Sequence, residues 1–252
     1  MSDAWRRIFL TIEYDGTRYA GWQRQLNAPS VQGEIEKVLF TVEKRYVPVY
    51  GASRTDAGVH ALGQVAHFDT RGRIPVNKYP FVFNSMMPED ISVRLAREVP
   101  PAQHARFSAR GKTYTFRIDN RRHACALKRR FYAHVPLPLN ESRMRQAAQA
   151  LLGTHDFAAF ASAESKAKTT VRTLKQLDVQ RQGEDIILTV TGNAFLYNMV
   201  RIMAGSLIYV GLGRMDTGDI LRALEEKNRL LLGPTADACG LELTRVYYED
   251  LA

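Results

Sequence analysis

The mostly apolar run over 8–14, polar only at Thr11 and Glu13, predicts a strand, and the turn formers Asp15 and Gly16 close it. The period then changes. Val31, Ile35, Val38, Leu39 and Val42 recur at helical spacing and build one apolar face, with Ser30 placed to cap the helix N-terminus. Two β-rich runs follow, over 47–52 and 64–69. A helix over 77–87 stops before Pro88, and a strand over 91–98 completes the half.

Residues 99–105, "VPPAQHA", form a connector, because adjacent prolines break regular structure. The same order of elements then returns. A strand is expected over 112–119, then a helix over 141–152 capped by Asn140, with Met144, Ala147, Ala148, Leu151 and Leu152 as its apolar stripe. A hairpin over 171–181 and 185–191 turns near Gly183. Helices over 197–212 and 217–227 and a closing strand over 241–248 end the chain. Two β-α-β-β-α-β runs in tandem predict an α+β fold. It would be made of two ferredoxin-like halves with antiparallel sheets, 1–105 and 106–252, around a central cleft suited to a ligand. The repeat lies in the order of elements and not in residue identity.

Composition narrows the function. Lysine and arginine outnumber acids by 35 to 26, a net charge of +9. That surplus favours a polyanionic partner, nucleic acid or an anionic membrane surface. Two distant cysteines, Cys125 and Cys239, make neither a disulfide framework nor a zinc spacing. The six histidines contain no HExxH-type pair, so no metal is expected. The N-terminus lacks a signal-peptide pattern, and the most apolar run, 202–210, is too short to span a bilayer. A soluble, cytoplasmic protein is expected.

The charge is concentrated. Residues 106–130 hold Arg106, Arg110, Lys112, Arg117, Arg121, Arg122, Lys128, Arg129 and Arg130 against a single acid, Asp119, with Phe107, Tyr114 and Phe116 among them. Positive charge for phosphates and flat rings for unstacked bases point to nucleic acid, folded RNA in preference to DNA.

In "GASRTDAGVHAL" (51–62), small residues surround Arg54, Asp56 and His60 and let a backbone approach a ligand closely. The Arg-x-Asp arrangement allows a pairing that keeps the carboxylate ionised, as a nucleophile or base requires, although an Asp in an ordinary turn also caps backbone amides. Arg201 lies in "FLYNMVRIMAGSLIYVG", a helix apolar on nearly every side. A guanidinium buried there needs an anion, either an RNA phosphate or a carboxylate such as Asp56. "GKT" at 111–113 lacks the first P-loop glycine, Asp216 breaks a GxGxxG pattern, and no GxSxG elbow is present. A reaction without metal or nucleotide cofactor is therefore expected.

These segments resemble the tRNA pseudouridine synthase A (TruA) family. The resemblance runs through "EYDGTRYAGWQRQ", "SVQGEIE", "SRTDAGVHALGQVAHF", "FNSMMPEDISVR", "FSARGKTYTFRI", "GTHDFAAF", "FLYNMVRIMAGSL" and "CGLELTRVYY". It implies two α/β halves around a cleft and a cofactor-free homodimer that isomerises uridine to pseudouridine in the tRNA anticodon stem-loop, at positions 38–40. It also implies that Asp56 is the catalytic aspartate, Arg54 its companion arginine, Tyr114 the ring packed on the target base and Arg201 the arginine paired with the aspartate. Arg110, Lys112 and His60 join Tyr114 as candidate substrate contacts. Ser53 stands where the family usually has glycine, and Asp237 where it usually has proline. A catalytically silent RNA-binding protein and a nucleoside hydrolase are the competing readings.

Overall fold

A computed structural model of the chain describes residues 5–162 and 167–249, which form a mixed α+β fold. Two compact units make it up, Met1–Arg110 with Leu243–Ala252, and Gly111–Glu242.

The first unit runs β1 (Arg6–Tyr14), α1 (Val31–Glu43), β2 (Tyr50–Gly51), β3 (His60–Thr70), α2 (Tyr79–Asn84) and β4 (Ile91–Val99). β1 lies between β3 and β4, antiparallel to both, and β2 pairs antiparallel with β3. Ile8, Leu10 and Ile12 on one face are fully buried, and Phe9 on the other is nearly so. Ser30 caps α1 by accepting from the Gly33 N–H at 3.3 Å. Val31, Ile35, Val38 and Leu39 are buried, and Val42 is half-buried.

Two elements differ from expectation. β2 is two residues long because residues 52–59 leave the ladder and form a loop. The helix expected over 77–87 is a 3₁₀ turn, Val76–Lys78, followed by the short α2. The Asn84 side chain bonds the backbone of Val93 on both its N–H and C=O, at 2.8 and 3.0 Å, and so ties the helix end to β4.

The second unit contains β5 (Gly111–Asp119), β6 (Ala133–His134), α3 (Glu141–Gln149), β7 (Gly153–Asp156), β8 (Val171–Gln182), β9 (Asp185–Gly192), α4 (Met199–Gly211) and α5 (Thr217–Glu226). Its sheet order is β5-β9-β8-β7, antiparallel throughout, with β6 parallel to β5. Asn140 caps α3 by accepting from the Arg143 N–H. α4 buries Met199, Ile202, Met203 and Leu207, which explains its all-round apolar sequence. The last strand, β10 (Leu241–Tyr247), starts in this unit and continues in the first, beside β3. Among the described residues, no helix is long and apolar enough to cross a membrane.

Candidate active site

Asp56 sits half-buried in the loop between β2 and β3. The loop is fastened from below at several backbone points. The Ala52 N–H donates to Val65 O at 2.7 Å, and the Trp22 N–H donates to Thr55 O at 3.0 Å. The Gly58 N–H donates to Tyr19 O at 3.2 Å, and the Val59 N–H closes a turn on Asp56 O at 3.1 Å. The Thr55 hydroxyl shares a buried 2.7 Å hydrogen bond with the Tyr14 hydroxyl. Gln64, fully buried, accepts from the Ser53 N–H and donates to Ser53 O, at 3.1 and 2.8 Å.

The segment after β1 forms the floor. Gly21 has φ +95°, and a side chain there would place its Cβ 2.5 Å from Thr55 O. A Cβ on Gly16 would collide with the Val59 carbonyl. Both positions therefore require glycine, one for conformation and close approach, the other for approach alone. Charge and motif assign no role in this site to Tyr14, Gly21, Thr55 or Gln64, and to Gly16 only that of a turn former. The signal available was the glycine pair in "YDGTRYAGWQ", spaced along a segment rich in aromatic rings.

His60 begins β3 and is only 3% exposed. Its Nδ1 accepts from the Gly16 N–H at 3.0 Å. Asp15 Oδ1 lies 3.2 Å from the same nitrogen, but a nitrogen whose lone pair receives a backbone N–H has no proton to give the carboxylate. His60 is thus a support of the loop floor, and its burial disfavours the substrate contact expected of it.

Arg54 is exposed, and its guanidinium makes no hydrogen bond or ion pair among the described residues. The Arg-x-Asp pairing expected from the sequence is not formed. Instead, the charge of Arg54 is felt by Arg106. Partial burial, and after it repulsion from Arg54, hold Arg106 below the usual arginine range. Ser53, where glycine is usual, is not among the residues at positive φ, so no backbone conformation at this position demands glycine.

In the second unit, Tyr114 lies on β5, 7% exposed, and meets Phe195 edge-on at 5.1 Å between ring centres. Lys112 is half-buried on the same strand. Arg110, exposed in the first unit, donates its backbone N–H to Tyr247 O at 2.8 Å. Arg201, in the first turn of α4, is half-buried. Its Nε donates to Ala236 O at 2.7 Å and its Nη1 to Asn198 Oδ1 at 3.0 Å. Asn198 caps α4 in the left-handed conformation, φ 61°, and its Nδ2 donates to Ser162 Oγ. The guanidinium is therefore oriented by neutral acceptors on two of its edges. Asp237 has φ −58°, the value proline fixes, so the backbone keeps the conformation that proline would impose.

The basic segment divides in two. Arg117 pairs with Glu242 at 2.9 Å, Arg121 with Asp119 at 2.7 Å, and Lys128 with Asp185 at 2.5 Å. Two of these three acids are distant in sequence, so a count along the segment overstates its free charge. Phe116 is fully buried and Tyr114 nearly so, whereas Phe107 is 77% exposed.

The tRNA pseudouridine synthase family model matches residues 10–108 and 147–249. The tRNA pseudouridine synthase A of Ruminiclostridium cellulolyticum is 46% identical over 244 residues, 96% of this chain and 100% of the relative. The tRNA pseudouridine synthase A of Bacillus licheniformis is 43% identical over 246 residues, 97% of this chain and 100% of the relative. Among solved structures, one titled as the crystal structure of a Cbf5-Nop10-Gar1 complex matches 94% of this chain and 48% of that chain. Its 15% identity and TM-score of 0.40 are too low to bear on the fold. From the family match and the full-length relatives, the chain belongs to the tRNA pseudouridine synthase family.

Proposed function

We propose that this chain converts uridine to pseudouridine in the anticodon stem-loop of tRNA, at positions 38–40, with Asp56 as the reacting carboxylate. The isomerase activity on tRNA follows from the family. The observation that carries it is the 46% identity to a tRNA pseudouridine synthase A along that protein's whole length. The choice of anticodon arm, the cytoplasmic setting, the homodimer and the residue roles are our reading.

In the reaction, the bond from uracil N1 to ribose C1′ breaks, the base turns, and C5 bonds to C1′ while the C5 proton leaves and N1 gains one. Asp56 acts either at C1′ as a nucleophile or by removing a proton to start elimination to a glycal. The target base leaves its stack, and protein rings and arginines take over its lost contacts. We assign Tyr114 to the target base and Arg201 to the charge of the catalytic carboxylate. Arg54, which does not pair with Asp56, is assigned to the RNA, with Arg110 and Lys112 as further contacts.

We also propose that each unit is a ferredoxin-like half. The first unit's sheet order, β4-β1-β3 with β2 on β3, supports this, as does the recurrence of strand, helix, hairpin and helix in the second. There, β7 and α5 are additions.

Incubating the protein with an unmodified tRNA transcript and mapping pseudouridine tests the function. The expected outcome is modification within positions 38–40. Modification elsewhere would refute the anticodon-arm reading, and base release without rejoining would indicate hydrolysis.

A further inference from the structure

One ring outside the reacting group is displayed as if for a ligand. Phe107 is 77% exposed on the turn 104–108. That turn satisfies its own backbone. The His104 N–H donates to Ser108 Oγ and the Ser108 N–H to His104 O, both at 2.9 Å. The Arg106 and Phe107 N–H groups donate to His104 Nδ1 at 3.1 and 3.3 Å, and the Ala105 N–H donates to His67 Nδ1 at 3.2 Å. Burial lowers the basicity of both imidazoles, His67 to about 4, so they stay neutral acceptors near pH 7.

The turn is thus rigid without help from the Phe107 side chain. That ring rests against His104, with centres 4.4 Å apart and planes 34° apart. His104 in turn meets Tyr50 at 5.6 Å, on the strand that leads into the Asp56 loop. The Arg106 guanidinium lies 5.8 Å from the Phe107 ring centre. Neither Arg106 nor Arg54 has a carboxylate partner among the described residues, in contrast to Arg117, Arg121 and Lys128. A cation without a carboxylate partner beside an open ring complements one chemistry, an anionic backbone carrying a flat base.

We propose that Phe107 and Arg106 form a subsite for one unpaired nucleotide of the RNA substrate, its base stacked on Phe107 and its phosphate held by Arg106. This rests on the reading that the substrate is tRNA. Phe107 is a positioning residue, and Arg106 a phosphate contact.

The test uses the full chain and an unmodified tRNA transcript, with Kd measured across salt concentrations separately from KM and kcat. Phe107→Ala should raise Kd and KM about tenfold while leaving kcat and the salt slope nearly unchanged. Phe107→Trp should restore affinity to within about twofold, and its added fluorescence should be quenched by tRNA beyond that of the wild type. Arg106→Gln should reduce the slope of log K against log salt by ~0.7–0.9. Binding by Phe107→Ala equal to wild type at every salt concentration overturns the stack, and an unchanged slope in Arg106→Gln overturns the phosphate contact. If the alanine variant fails to fold, an absence of tRNA-dependent quenching in Phe107→Trp overturns the stack. A wild type that binds tRNA but makes no pseudouridine defeats the synthase reading alone, since the binding measurements still decide the subsite.

Discussion

Two neighbouring parts of the first unit display exposed chemistry on rigid supports, but they are made rigid differently. The Asp56 loop is fixed by close backbone approach over Gly16 and Gly21 and by buried neutral hydrogen bonds from Tyr14 and Gln64. The 104–108 turn is fixed by two imidazole nitrogens that accept backbone N–H groups. The first support tolerates no added volume and includes a single imidazole acceptor, His60. The second tolerates volume at Phe107 but depends on unprotonated histidines. A reacting carboxylate gains from the first kind of support, because its position must hold to within a fraction of an ångström.

That contrast can be broken at several points. Gly21→Ala combines a positive φ with a Cβ 2.5 Å from Thr55 O, so the loop must shift. We expect at least ~100-fold loss of kcat in single-turnover assays and a loss of ~2–4 kcal/mol in denaturant unfolding. Gln64→Leu leaves the buried N–H and C=O of Ser53 without their partner. A destabilisation of ~2–3 kcal/mol is expected, with kcat falling about tenfold.

Acid should act on the turn. His67 has a folded pKa of about 4, below the ordinary 6.5, so its neutral form is the one the fold requires. Stability is therefore full above pH ~6.5 and declines as pH falls toward about 4, because only the unfolded chain takes up the proton in that window. The expected loss is ~2–3 kcal/mol in unfolding free energy between pH 7 and 4. His67→Gln should flatten this dependence. The smallest effect is expected at the paired end of the basic segment. Arg117→Gln should leave the salt slope of tRNA binding unchanged and cost about 1 kcal/mol of stability or less, since Glu242 already neutralises the arginine.

Much of this architecture was legible in the sequence because local physics determined it. Ser30 and Asn140 cap the helices their positions predict, and the apolar run over 8–14 marks a buried strand. Asp56 stood out because small residues surround it. What escaped was non-local. The strand β7, "GTHD", has no alternating apolar pattern and begins at Gly153, φ +93°; its pairing with β8 makes it a strand. The free charge of residues 106–130 was overestimated because Asp185 and Glu242 come from 57 and 125 residues away. Arg54 and Asp56, two residues apart, suggested a pair, yet the loop leaves Arg54 exposed and electrostatically coupled to Arg106.

The central claim is that Asp56 performs the isomerisation, and Asp56→Ala assayed on unmodified tRNA tests it most directly. Pseudouridine formed per tRNA and tRNA affinity should be measured on the same preparation. The account predicts at least ~10³-fold loss of turnover with Kd within about threefold of wild type. Turnover within tenfold of wild type would contradict it.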